Sequence, residues 1–153
     1  MSAGSLQNSR FRILLIEDNL ADIMLIKEAL KEHEVLADLE ILTDGETAYN
    51  YWNRFLNSPA TACPDLVLLD LNLPKRSGQE ILKRIREIPF CATLKIIVIS
   101  SSVHPNDMQQ VSALGIHQYF HKPNHFEEFL ELGRVIKNLQ SRQEQAHGSG
   151  GAV

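Results

Sequence analysis

The stretch DLVLLDLNLPKRSG, residues 65–78, decides the fold. Its apolar residues 67–69 form a short run without helical spacing, and the run ends at Asp70. Such a run predicts a buried strand of a parallel sheet. Ligands of open α/β sheets bind beyond the carboxyl ends of the strands, so Asp70 lies where chemistry is expected. Taken alone, the segment is also compatible with an aspartate that only ends the strand or caps a turn.

Strands and helices alternate along the rest of the chain. Short apolar or β-branched runs predict the other strands over residues 12–16, 37–42, 94–100 and 117–121. Apolar residues at one-face helical spacing predict helices over residues 20–34, 47–57, 79–88, 105–115 and 124–142.

Residues at the helix ends support these boundaries. Asp44 can cap the second helix, Pro105 suits the first position of the fourth, and Gly115 can end that helix. Asn124 and Glu127 have the spacing of a capping box at the start of the last helix. Strict alternation predicts an α/β fold, the flavodoxin-like doubly wound (βα)5 arrangement, with helices on both faces of a parallel sheet of order 2-1-3-4-5.

Composition limits the functional classes. The 153 residues fit one domain, expected over residues 11–142, between a flexible lead-in at 1–10 and a flexible tail at 143–153. A net charge of −4 and scattered basic residues disfavour nucleic-acid binding. No stretch has membrane-spanning length. Cys63 and Cys91 lack metal-site spacing and suggest reduced thiols in a cytoplasmic protein, although a single disulfide stays open.

Reactive side chains fall at four predicted strand ends: Glu17 with Asp18, Asp70, Ser100 and Lys122. In a doubly wound sheet these ends share one cleft. Three carboxylates would repel one another unless a cation intervenes, and a hard divalent ion such as Mg²⁺, or Mn²⁺ in its place, suits oxygen ligands. With a lysine and a hydroxyl nearby, the set predicts phosphoryl transfer with Asp70 as the nucleophile.

The same residues resemble a known family. The acidic pair in LLIEDN, the Asp-x-Asn-x-Pro order of LLDLNLP, the hydroxyl of VISSS and the Lys-Pro of FHKP follow one another over residues 11–140. The sequence is therefore similar to the receiver domains of two-component response regulators. Each motif alone is weak, but the four in this order, each at a strand end, are specific.

The resemblance implies a role for each matching residue of the phosphoacceptor site. Asp70 would take a phosphoryl group from the phosphohistidine of a sensor histidine kinase. Asp18, Asp70 and the backbone carbonyl of Asn72 would bind Mg²⁺, with Glu17 acting through a bound water. Lys122 would pair with the phosphoryl oxygens.

The resemblance further implies a conformational switch. Ser100 would turn inward to hydrogen-bond the phosphoryl group, and Tyr119 would change rotamer as Ser100 moves. The peptide bond before Pro123 would be cis. Glu17 and Ser100 stand where the family more often has Asp and Thr, and both departures are within the family's usual range. A half-buried strand tyrosine without a switch role is the alternative for Tyr119.

Partners follow from the last helix and from the resemblance. The last helix carries more apolar residues than one buried stripe needs, so some of them must face outward or a partner. The resemblance implies pairing through the surface of the fourth helix, fifth strand and fifth helix, and we expect a homodimer there through Phe126, Phe129 and Leu130. A broad amphipathic face is the alternative. The chain also resembles stand-alone regulators paired with bacterial phytochrome kinases, which implies such a kinase as partner.

Two other functions that this fold could serve are disfavoured by particular residues or loops of the sequence. An aspartate-nucleophile phosphatase would need a general acid at the position of Asn72. A flavin protein would need a phosphate-binding first loop, whereas IEDNLAD is acidic. The sequence thus predicts a signalling module that phosphorylates and dephosphorylates itself rather than a metabolic enzyme. A receiver-like interaction scaffold that never takes phosphate is the alternative.

Overall fold

The computed structural model describes residues 10–58 and 62–151, and the side chains of residues 10–58 and 62–145. The lead-in predicted over residues 1–10 lies almost wholly outside the described residues. Strands and helices alternate in the order β1 (Phe11–Ile16), α1 (Leu20–Glu32), β2 (Ala37–Leu42), α2 (Gly45–Asn57), β3 (Leu66–Asp70), α3 (Gly78–Arg86), a 3₁₀ helix (Pro89–Cys91), β4 (Lys95–Ser100), α4 (Pro105–Ala113), β5 (Gln118–His121), α5 (Phe126–Phe129) and α6 (Glu131–Gly151).

The strands form one five-stranded sheet of order β2-β1-β3-β4-β5. The β1–β3, β3–β4 and β4–β5 pairs are parallel. The predicted fold class and strand order are therefore confirmed. Every residue of β3 is buried, as expected for the central strand of a parallel sheet.

The described residues fall into two compact units. One contains Arg12–Leu20 and Asp38–Lys122, and so most of the sheet with α2, α3 and α4. The other contains Ala21–Ala37 and residues 123–151, and so most of α1 with α5 and α6. The predicted domain limits at residues 11 and 142 stay predictions, and the backbone is helical to Gly151.

The core of the larger unit explains its helices. Each of α2 and α3 buries one face, made of Ala48, Tyr51, Trp52 and Phe55 on α2 and of Ile81, Leu82 and Ile85 on α3. These side chains join alternate residues of the strands in one cluster. Burial of such large apolar groups is the main favourable term in folding.

Helix caps differ in part from the expectation. Asp44 caps α2, with its Oδ1 accepting from the Thr47 N–H at 2.7 Å. Pro105 begins α4, and Gly115 follows that helix with φ of 78°. The capping box expected at Asn124 and Glu127 is wrong, because α5 begins after His125 without a side-chain cap.

The capping box of this chain lies instead at the start of α3. Ser77 and Glu80 form it, through a Ser-x-x-Glu pattern that the sequence reasoning missed. The single last helix expected over 124–142 is also replaced by two, because helix α5 ends at Phe129 and α6 begins at Glu131.

The cysteines are not reduced thiols. Cys63 and Cys91 form a disulfide, with their Cα atoms 5.9 Å apart. The two residues are separated by 28 positions, so only the fold brings them within bonding distance. The bond joins the segment before β3 to the 3₁₀ helix before β4.

Candidate functional site

Strand register brings the acidic residues together. Ile16 of β1 lies opposite Leu69 of β3, so Glu17, directly after β1, and Asp70, the last residue of β3, come side by side. Asp18 follows at the same edge. Carboxylate oxygens of Glu17, Asp18 and Asp70 lie within 4.8 Å of one another. The cluster predicted from three strand-end acids is thus present in the fold.

Glu17 is the most buried of the three acids, with 0% of its surface exposed. Loss of solvation and the adjacent Asp70 carboxyl raise the pKa of Glu17 from 4.5 to about 8, although Lys122 acts in the opposite direction. The Glu17 Oε2 atom accepts a hydrogen bond from the Asn19 N–H at 3.3 Å. The carboxyl is thereby oriented at the start of the loop that follows β1.

Lys122 provides the counter-charge. Its Nζ atom lies 2.9 Å from Glu17 Oε1 and 3.5 Å from Asp70 Oδ2, and its side chain is 13% exposed. The Lys122 N–H donates to the Ser100 carbonyl at 2.8 Å, which fixes the residue directly after β5 to the end of β4. A largely buried ammonium between two carboxylates is suited to pairing with an anionic group bound there.

Asp70 also accepts a hydrogen bond from the loop that follows it. Its Oδ1 atom accepts from the Asn72 N–H at 3.1 Å, and the residue is 3% exposed. The hydrogen bond places the Asn72 backbone in the loop beside the carboxylate. That the Asn72 carbonyl binds a metal stays a prediction.

A chain of hydrogen bonds connects the end of β4 to α4 and β5. The Ser102 N–H donates to Ser100 Oγ at 3.0 Å, and the Ser102 hydroxyl donates to Asp107 Oδ2 at 2.7 Å. The Tyr119 hydroxyl donates to the Ser102 carbonyl at 3.0 Å. The two predicted switch residues, Ser100 and Tyr119, are therefore connected through Ser102. Asp107 was missed, because nothing in the sequence pairs it with the serines.

The acidic cluster fits a divalent ion. Three carboxylates within 4.8 Å supply the oxygen ligands that hard cations prefer. The raised pKa of Glu17 also favours a cation at this position, because burial beside Asp70 leaves the negative charge of Glu17 poorly compensated. The donor set contains oxygen alone, which favours Mg²⁺ or Mn²⁺ over softer metals.

Two expected site features are wrong. The peptide bond before Pro123 is not cis, since every peptide bond in the described part of the chain is trans. The trans isomer is favoured before proline by about 0.5–1 kcal/mol, so a proline in a tight loop does not by itself determine the isomer. Phe129 is 2% exposed and cannot belong to an open dimer surface.

The other members of the predicted dimer surface have different exposures. Phe126 is 48% exposed and Leu130 is half-buried. Phe126 at the start of the four-residue helix α5 is therefore open, whereas Phe129 at its end is packed inside. The dimer surface stays a prediction for Phe126 and Leu130.

The fold and the site together are typical of a protein whose own aspartate takes a phosphoryl group. A doubly wound sheet ends in three acids, a buried lysine and a serine, which suits phosphoryl transfer to an aspartate. Among the described residues, no helix combines the length and apolar character needed to cross a bilayer.

Comparison with known proteins shows the family. The family described as "Response regulator receiver domain" matches residues 13–133. The chain belongs to this family, the receiver domains of two-component systems, and its resemblance to receivers is confirmed.

Three relatives illustrate the likeness. The response regulator Rcp1 of Synechocystis sp. is 33% identical over 130 residues, which are 83% of this chain and 86% of that protein. The probable methanogenesis regulatory protein FilR2 of Methanothrix harundinacea is 33% identical over 130 residues, 85% of this chain and 81% of that protein. The phosphorylated cyanobacterial phytochrome response regulator RcpA has a TM-score of 0.73 at 34% identity, covering 84% of this chain and 92% of that one.

A crystal structure of the Mn²⁺-bound form of Rcp1 is also similar. Its TM-score is 0.72 at 31% identity, covering 82% of this chain and 91% of that one. Divalent metal binding by a similar receiver accords with the acidic cluster found here.

Proposed function

We propose that this protein is a single-domain response regulator that accepts a phosphoryl group from a histidine kinase onto Asp70, with Mg²⁺ bound beside it. The observation that carries the proposal is the position of Asp70. It is buried within 4.8 Å of two further carboxylates and 3.5 Å from the ammonium of Lys122. Structural aspartates at strand ends do not need such surroundings.

The transfer begins when a carboxylate oxygen of Asp70 attacks the phosphorus of a phosphohistidine. The P–N bond breaks, the imidazole leaves, and an acyl phosphate forms. Glu17, Asp18, Asp70 and the Asn72 carbonyl would bind Mg²⁺, which offsets the negative charge of the phosphoryl oxygens. Water later attacks phosphorus, the bond between phosphorus and the Asp70 oxygen breaks, and inorganic phosphate leaves. The carboxylate is thereby restored, so the protein acts only on itself.

Lys122 contributes charge stabilisation. Its ammonium lies between Glu17 and Asp70 and can pair with a phosphoryl oxygen without a large movement. The compact charge of lysine suits an anion whose oxygens rearrange during transfer.

The signal would leave through β5 and α4. When Ser100 turns towards the phosphoryl group, its Oγ atom must give up the hydrogen bond from the Ser102 N–H. Ser102 also accepts from Tyr119 and donates to Asp107, so its displacement reaches both elements. This supports Ser100 and Tyr119 as the switch residues.

Partners and location complete the proposal. RcpA is a phytochrome response regulator, which supports a bacterial phytochrome kinase as the partner of this chain too. Homodimerisation through Phe126 and Leu130, and a cytoplasmic location, are part of the same proposal. Because cytoplasmic reductants keep most cysteine pairs reduced, the proposal implies that the Cys63–Cys91 disulfide is open at that location.

The function is tested with acetyl phosphate and Mg²⁺, followed by intact-mass measurement. The wild type should gain one phosphoryl group, and Asp70→Asn should gain none. Asp38→Asn is the matched control, because it removes an exposed aspartate of β2 and should leave the gain unchanged. If the wild type gains nothing while it binds Mn²⁺, the receiver-like scaffold becomes the better account.

A further inference from the structure

The loop between β3 and α3, residues 71–77, determines the surroundings of Asp70. It is closed by a hydrogen bond from the Gly78 N–H to the Leu71 carbonyl at 3.0 Å. A second hydrogen bond runs from the Gly45 N–H, at the start of α2, to the Pro74 carbonyl at 3.0 Å. The loop is therefore attached at its base and at its tip.

Both attachments are made by glycines in very close contact with backbone atoms. A Cβ atom added to Gly45 would overlap the Arg76 carbonyl oxygen and lie 2.7 Å from the Arg76 carbonyl carbon. A Cβ atom added to Gly78 would lie 2.5 Å from the Asp70 carbonyl oxygen and 2.6 Å from Leu71 Cα. Carbon atoms in folded proteins pack at about 3.5–4.0 Å, so the backbone would have to move.

Gly45 and Gly78 are glycines because there is no room for a Cβ atom, and not because their backbone needs a conformation that only glycine adopts easily. Among the glycines that the structure describes, Gly115 is the one with positive φ. The Gly78 contact involves the backbone of Asp70 itself. The Gly45 contact involves the loop that carries Asn72, whose N–H binds Asp70 Oδ1 at 3.1 Å.

Arg76 adds side-chain attachments between the same loop and α2. Its Nε atom lies 2.9 Å from Glu46 Oε1, and its guanidinium lies 3.8 Å from the centre of the Tyr49 ring. It also lies 3.3 Å from Glu80 Oε2 of α3. The first turns of α2 and α3 thus hold the loop from two sides.

We propose that Gly45 and Gly78 are positioning residues for the phosphoacceptor site. They allow the β3–α3 loop to lie so close to α2 and to the end of β3 that the Asp70 carboxylate and the Asn72 backbone are set for metal binding. The proposal rests on the function proposed above, because it assigns these glycines to the same site.

The test compares Gly45→Ala and Gly78→Ala with Gly133→Ala. Gly133 makes an equally close contact in the other unit, where an added Cβ would overlap the Ala29 carbonyl oxygen. All three substitutions therefore introduce the same kind of backbone clash. Only the first two place it next to the β3–α3 loop.

Mn²⁺ affinity is measured by calorimetry, and urea unfolding records the stability of each variant. We expect Gly45→Ala and Gly78→Ala to weaken Mn²⁺ binding by about 10–100-fold, as for other residues that orient metal ligands. Gly133→Ala should lose stability and keep wild-type affinity within about twofold, because its clash is with α1 and involves neither a metal ligand nor the β3–α3 loop. Wild-type affinity in both loop variants, or an equal loss in Gly133→Ala, would overturn the proposal.

Arg76→Ala keeps the test decisive if the glycine variants fail to fold. It removes the side-chain attachments of the loop without adding a clash. Arg84→Ala is its matched control, because Arg84 also lies over the Tyr49 ring, at 4.9 Å, but belongs to α3. Weaker Mn²⁺ binding in Arg76→Ala alone supports the proposal, and equal affinities contradict it.

The outcomes also separate this proposal from the proposed function. If wild-type protein binds no Mn²⁺ and takes no phosphoryl group, the function itself is wrong. If wild type does both and the loop variants match it, only the positioning role of the glycines is lost.

Discussion

The disulfide makes a quantitative prediction about stability. Cys63 and Cys91 close a covalent loop across 28 positions, and the segment contains β3 with Asp70, the β3–α3 loop and α3. A cross-link stabilises a protein mainly by restricting its unfolded chain, and a loop of this length corresponds to about 3.6 kcal/mol. Reduction should lower the free energy of unfolding by an amount of that order.

The folded state should change little on reduction. The segment around Cys63 is also held by Arg12, whose N–H donates to Asp65 Oδ2 at 2.8 Å and whose guanidinium donates to the Ala62 carbonyl at 3.1 Å. The Asp65 N–H in turn donates to the Arg12 carbonyl at 2.9 Å. We therefore expect Mn²⁺ affinity to be the same in the oxidised and reduced forms.

Urea unfolding with and without a phosphine reductant provides the assay. Reduction should lower the urea midpoint of the wild type. The corresponding loss in the free energy of unfolding should be near the value of about 3.6 kcal/mol expected for this loop. The double variant Cys63→Ala, Cys91→Ala should resemble the reduced wild type and ignore the reductant. The reasoning fails if reductant leaves the wild-type midpoint unchanged, or if unreduced, denatured protein titrates as two free thiols.

Three further predictions concern the core, the alkaline range and the dimer surface. Trp52→Ala should lower the free energy of unfolding in urea by about 3–5 kcal/mol, because the indole is 0% exposed and packs against the rings of Tyr51 and Phe55. A loss near zero would contradict this packing. Burial raises the pKa of Tyr51 above 10.0, so the folded state holds the phenol proton more tightly and stability falls as pH rises past that value. Tyr51→Phe should remove this loss in urea midpoints taken below and above pH 10.0, and an unchanged slope would exclude Tyr51 as its source. On a sizing column with beryllofluoride, the wild type should be a dimer and Phe126→Glu a monomer, because the substitution charges a side chain that is 48% exposed. A wild type that is monomeric both with and without beryllofluoride would contradict the predicted dimer.

The strands and their order could be predicted because they depend on local pattern. The runs ending at Ile16, Asp70 and Ser100 are apolar on both faces, which only a covered parallel strand requires. Alternation with helices then leaves few topologies. The site followed from the same logic, because residues that end neighbouring parallel strands share an edge.

The remaining features depend on distances that local pattern does not contain. The contact between Cys63 and Cys91 arises from the fold, because the two residues are 28 positions apart. The break between Phe129 and Glu131 interrupts a segment whose apolar spacing looks continuous. The close contacts of Gly45 and Gly78 become visible only when the atoms around them are placed.

The most direct measurement maps the phosphorylated residue. After incubation with acetyl phosphate and Mg²⁺, borohydride reduces an acyl phosphate to an alcohol, so the modified aspartate becomes homoserine in peptide mass spectra. Our account predicts homoserine at position 70 and unmodified aspartate at position 18. Homoserine at another carboxylate, or none although the intact protein gained a phosphoryl group, would contradict it.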